Sequence, residues 1–127
     1  MKQSIQTPDA PEAIGPYSQA VVHNGMIFIS GQIPLDPATG QSIGADISAQ
    51  TQRVMESLGA ILKAAGGDYG TVLKTTIYLT DLSTFEHVNQ VYSRYFEAPF
   101  PARATIEVSA LPKGVSIEID AVATLAR

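Results

Sequence analysis

Cysteine and tryptophan are both absent from the 127 residues. The first absence excludes a disulfide framework, a thiolate nucleophile and a cysteine metal site. Charge is also scarce, with Asp, Glu, Lys and Arg making up 16% of the chain against 45% apolar residues. That apolar share excludes a disordered chain. So sparsely charged an exterior points to surface covered by another copy of the chain. The basic residues, Lys2, Arg53, Lys63, Lys74, Arg94, Arg103, Lys113 and Arg127, are scattered, and the net charge is -4. Nucleic acid and anionic membranes bind through clustered cations and are not expected as partners.

Long apolar runs are missing too. No stretch approaches the ~20 residues that span a bilayer, and the opening MKQSIQTPDAPEAIG lacks the apolar core of a secretory signal. A soluble, cytoplasmic protein is expected. Without internal repeats, linkers or low-complexity tracts, residues 1–127 read as a single domain. The strings of phosphate loops, dinucleotide folds, serine-hydrolase elbows and zinc-protease helices do not occur. His23 and His87 stand apart from any carboxylate cluster, so they read as solvated side chains and no metal is expected.

What is present has a clear order. A short strand is expected near Ser4–Thr7, followed by a proline-interrupted loop ending at Tyr17. Gln19–His23 and Met26–Ile33 are β-rich runs joined by Asn24-Gly25, a pair suited to the positive φ angles of a tight hairpin. Asp46 can cap a helix with apolar residues Ile47, Val54, Leu58, Ile61 and Leu62 at helical spacing, stopped by Gly66-Gly67. Thr71–Thr80 reads as a strand. Ser83 and Glu86 then have the spacing of a capping box, opening a helix whose stripe is Phe85, Val88, Val91, Tyr92, Tyr95 and Phe96. Arg103–Leu111 and Val115–Ala126 complete the order βββαβαββ as two strands, an α+β fold with two helices on one sheet.

Two helices cover one face only, so copies of the chain are expected to meet over the other. Alternation in the last two strands puts Arg103, Thr105 and Glu107 on one side, and Glu118 and Asp120 on a similarly polar side. These sides are expected to coincide, placing Arg103 and Glu118 near a seam between subunits. A strand arginine after Pro-Ala is either a forked receptor for a carboxylate or one half of an interface ion pair. Glu118 is correspondingly the partner charge or a general base. In either case a neighbouring guanidinium would lower the Glu118 pKa and burial would raise it.

Five spaced segments carry a family resemblance: Ala13-Ile14-Gly15-Pro16-Tyr17-Ser18-Gln19-Ala20, Ile29-Ser30-Gly31-Gln32-Ile33-Pro34, Pro101-Ala102-Arg103, Leu111-Pro112-Lys113 and Ile117-Glu118-Ile119. Together they closely resemble the RidA/YjgF family of reactive-intermediate deaminases. The resemblance implies a chorismate-mutase-like fold with a mixed sheet and a homotrimer with sites between subunits. It also implies cofactor-free hydrolysis of 2-imino or 2-enamino acids, such as 2-aminoacrylate, 2-iminopropanoate and 2-iminobutanoate, to 2-oxo acids and ammonia. Carried over by motif, Arg103 grips the substrate carboxylate and Glu118 activates water, while Tyr17, Ser30, Gly31, Asn89 and Thr105 line the pocket. At Thr105 many relatives carry Cys, so any thiol role is lost while the backbone groups remain. The competing reading is a non-enzymatic trimer that senses 2-oxo acids or binds another protein as a holdase.

Overall fold

The computed structural model describes residues 1–44 and 46–126. Six strands and two helices follow the expected order: β1 (Gln3–Ile5), β2 (Ala20–His23), β3 (Met26–Gln32), α1 (Ile47–Ala65), β4 (Val72–Leu79), α2 (Phe85–Tyr92), β5 (Ala102–Glu107) and β6 (Ile117–Thr124). Local chemistry sets the boundaries. At the β2–β3 turn Asn24 and Gly25 adopt φ of 51° and 76°, and His23 pairs with Met26 across it. The Asp46 carboxylate accepts the Ala49 N–H at 2.9 Å at the start of α1. At its end Gly66, with φ 94°, donates its N–H to the Leu62 and Lys63 carbonyls.

The second helix begins differently from the Ser83–Glu86 expectation. Asp81 accepts the Ser83 N–H at 2.9 Å, residues Leu82–Thr84 form a single 3-10 turn, and α2 starts at Phe85. Bonds from the Ser83 side chain and N–H hold the Asp81 carboxyl below the usual range. A charged acceptor two residues before Ser83 therefore takes the Ser83 N–H that the Glu86 side chain of a capping box would have used. The apolar stripe holds: Val88, Val91, Tyr92 and Phe96 are buried, and Phe85 and Tyr95 pack against the core.

The strands form one mixed sheet in the order β1-β2-β3-β6-β4-β5. Only the β4–β5 pair is parallel among the described strand pairs. One face carries Ile27, Ile77, Leu79, Ile117 and Ile119, all fully buried with Val54, Met55, Leu58 and Ile61. Fully burying such a side chain contributes roughly 1.5–3 kcal/mol, so this layer supplies much of the favourable side of folding. The opposite face is polar and apolar in alternation and includes Phe28 and Ile106, 46% and 45% exposed.

Strand pairing corrects the expectation for Arg103. β5 lies in register with β4 through Thr75↔Arg103 and Ile77↔Thr105, and Thr75 and Ile77 are buried on the helix side. Residues paired across a ladder share a face, so Arg103 and Thr105 lie on the α2 side. Glu118 pairs with Tyr78, whose neighbours Ile77 and Leu79 point to the core, and so lies on the open face. Within one chain the two residues occupy opposite faces of the sheet. No helix among the described residues is long and apolar enough to cross a membrane.

Candidate functional site

Two open clefts hold five of the seven expected site residues. The first, of ≈ 310 Å³, brings together Tyr17, Gly31 and Glu118 with Ile14, Gln32 and Lys113. It owes its shape to an irregularity in β3: Ile29 pairs with Ala121 and Gln32 with Ile119, so Ser30 and Gly31 together face Asp120. Two residues against one is a β-bulge, which bends the strand and re-aims its side chains. It sets Gly31 against Glu118, where an added Cβ would stand 2.8 Å from Glu118 Cδ and closer still to Oε2. Only a residue without a side chain lets that carboxyl lie over the strand.

Tyr17 is 54% exposed at the rim. Its loop is held by Gln19, whose buried amide oxygen accepts the Thr7 N–H at 2.7 Å and whose amide nitrogen donates to the Pro11 carbonyl at 2.8 Å. Gln19 thus fixes part of the wall of the Glu118 cleft, a role sequence reasoning missed although Gln19 falls within the first of the family segments. Ser30 stands apart from this cleft. Its hydroxyl donates to the Ser18 carbonyl at 2.6 Å, and it lines a groove with Val21 and Phe28.

Burial, followed by the charge of Asp120 two residues along β6, pushes the Glu118 pKa above its usual 4.5. Of the two opposing influences expected, burial acts within the chain, whereas the guanidinium does not, because Arg103 is on the other face. Across the β4–β6 ladder, the Tyr78 hydroxyl donates to Asp120 Oδ2 at 3.0 Å.

The second cleft, of ≈ 440 Å³, is lined by Asn89, Tyr92, Ser93, Phe100, Pro101 and Arg103. Arg103 Nη1 donates to Asn89 Oδ1 at 2.8 Å. Its guanidinium carbon lies 5.2 Å from the Phe85 ring centre and 5.1 Å from that of Tyr92. Phe85, Asn89 and Tyr92 recur at positions i, i+4 and i+7 of α2, so one helix face supplies all three. Phe85 and Tyr92 read from sequence as core stripe alone. Thr105, two residues along β5, is half-buried on the same side. Among the described residues no group of three or more His, Asp or Glu side chains is placed to hold a metal ion.

A family model described as Endoribonuclease L-PSP matches residues 7–125. The chain belongs to the RidA/YjgF family. Among RidA/YjgF relatives, Protein DfrA of Myxococcus xanthus is 56% identical over 124 residues, covering 96% of this chain and 95% of that protein. The 2-iminobutanoate/2-iminopropanoate deaminase of Homo sapiens is 49% identical over 123 residues, with coverage of 97% and 90%. The crystal structure of RidA from an Antarctic Psychrobacter superposes with a TM-score of 0.93 at 43% identity, covering 97% of this chain and 99% of that one. The RidA/YjgF fold accounts for the two helices on a mixed six-stranded sheet.

Proposed function

We propose that this chain, as a single domain over residues 1–127, is an imine deaminase. It hydrolyses 2-imino and 2-enamino acids of small amino-acid skeletons to 2-oxo acids and ammonia. The observation that carries the reading is the near-half identity, over almost the whole length, to a human protein named for that reaction. Supporting it, a forked cation and a carboxyl with a raised pKa each stand in an open cleft. Because Arg103 and Glu118 lie on opposite faces of one sheet, the working site takes Arg103 from one copy and Glu118 from another, in a homotrimer with its sites between subunits.

In that site Arg103 holds the substrate carboxylate and so fixes the imine carbon relative to Glu118. The imine reacts in its N-protonated form, and the Glu118 carboxylate takes a proton from water as its oxygen adds to the C=NH2+ carbon, the π electrons passing to nitrogen. The product is a carbinolamine in which carbon bears both hydroxyl and amine. Glu118 returns the proton to nitrogen, the C–N bond breaks towards ammonia, and the hydroxyl proton leaves as the C=O bond forms. A carboxyl group held above its usual pKa suits this exchange, because give and take are both easiest near the working pH.

Turnover of 2-imino acids generated in situ from several amino acids tests the reading, comparing wild type, Arg103→Ala and Glu118→Gln. Losing one partner of a desolvated charge pair costs about 2–5 kcal/mol. Arg103→Ala is therefore expected to weaken 2-oxo-acid binding by roughly one and a half to three and a half decades. Glu118→Gln is expected to keep product binding and lose turnover. Binding of pyruvate without ammonia release in the wild type would instead establish a 2-oxo-acid sensor.

A further inference from the structure

Arg103 is exposed, and an exposed arginine ordinarily samples many rotamers. Here three side chains of α2 surround its guanidinium. Asn89 takes a hydrogen bond from Nη1, and the Phe85 and Tyr92 rings lie at nearly equal distances from the guanidinium carbon. The Tyr92 ring is itself held. Its hydroxyl shares a 2.7 Å hydrogen bond with Thr75 Oγ1, Thr75 is 1% and Tyr92 6% exposed, and the ring packs against Phe96 at 4.8 Å between centres. A chain of contacts thus runs from the middle of β4 through Tyr92 to Arg103 on the neighbouring strand.

Nε and Nη2 of Arg103 donate to none of the described residues. A carboxylate is bound in two-point fashion by two parallel N–H groups, either Nε with Nη2 or Nη1 with Nη2. Only the first pair shares no atom with the bond to Asn89. We propose that Phe85 and Tyr92 are positioning residues which, with Asn89, hold the Arg103 guanidinium so that its Nε–Nη2 edge receives the substrate carboxylate. This deepens the deaminase reading and rests on its assignment of Arg103.

Aromatic contact with a guanidinium strengthens as the group is desolvated, so the rings favour the bound arginine over its other rotamers. The benefit applies to ground state and transition state alike, because the carboxylate does not react. It therefore appears in KM and leaves kcat nearly unchanged.

The test combines kinetics, pyruvate affinity and 15N relaxation of the Arg103 Nε–H in the full chain. Wild type is expected to show an ordered Nε–H before ligand is added, and its signal is expected to shift when pyruvate binds. Phe85→Leu and Tyr92→Leu are each expected to raise KM and weaken pyruvate binding about three- to tenfold, with kcat within about twofold and a mobile Nε–H. Tyr92→Phe, which keeps the ring, is expected to restore most of the affinity. Tyr92 is buried and its leucine variant can fail to fold, so the half-buried Phe85 and the wild-type relaxation decide in that event. A mobile Nε–H in wild type, or a folded Phe85→Leu protein with unchanged pyruvate affinity, overturns the proposal. Unchanged pyruvate affinity in Arg103→Ala overturns the carboxylate assignment beneath it, and the proposal with it.

Discussion

Gly31→Ala is expected to remove most turnover while leaving the fold close to its original stability. A Cβ at this position would stand 3.1 Å from Glu118 Cγ and 2.8 Å from Cδ, where carbon atoms ordinarily approach to about 3.5–4.0 Å. The carboxyl must retreat by on the order of 1 Å, and a displacement of that size costs about 10²-fold in rate. The fold is affected far less. Gly31 is not among the positive-φ glycines, and Glu118 is half-exposed, with room to rotate. An off-rotamer side chain costs roughly 0.5–1.5 kcal/mol, which lowers the melting temperature of a domain this size by less than about 10 °C. Ammonia release from 2-iminobutanoate generated in situ reads the first quantity and thermal unfolding the second. A variant that turns over at the wild-type rate, or one whose lost activity is matched by unfolded protein, would refute the steric account of the bulge.

Three further outcomes follow from the same geometry. Asp120→Asn removes a negative charge that raises the Glu118 pKa, so the Glu118 carboxyl signal, followed by NMR, should titrate at lower pH than in wild type. Because the folded pKa of Glu118 is raised, the folded chain keeps a proton that the unfolded chain has already lost. Glu118 therefore costs stability as pH rises from its usual 4.5 through its folded value. Glu118→Gln should accordingly be more stable than wild type to urea at about pH 8 and gain nothing at about pH 3. Gly59→Ala should destabilise the fold although alanine favours a helix by up to about 1 kcal/mol. Its Cβ would collide with the Tyr69 hydroxyl, which donates to the Met55 carbonyl at 2.7 Å; urea unfolding measures the net sign.

Features determined within a few residues were legible in the sequence. Asn24-Gly25, the Asp46 cap and the Gly66 stop each act on their own backbone, and each sits where local chemistry puts it. The Ser83–Glu86 box failed locally as well, because a competing carboxylate at Asp81 lies two residues upstream. Which face Arg103 takes is of another kind. Alternation along β5 divides its residues into two sets, but which set meets the helices depends on the parallel register Thr75↔Arg103. That register joins segments separated by α2 and is not encoded within either strand. The same holds for Phe85 and Tyr92, whose helical spacing reads as core packing until β5 brings a guanidinium against them.

The central claim is that Arg103 and Glu118 act together only when contributed by different copies of the chain. Arg103→Ala and Glu118→Gln proteins, each inactive alone, can be unfolded together and refolded as a mixture. In a cyclic trimer assembled at random, about one quarter of the interfaces receive an intact Arg103 from one variant and an intact Glu118 from the other. Imine hydrolysis should then return to about one quarter of the wild-type rate per site. A mixture as inactive as its two parents, from assemblies shown to contain both variants, would contradict the claim.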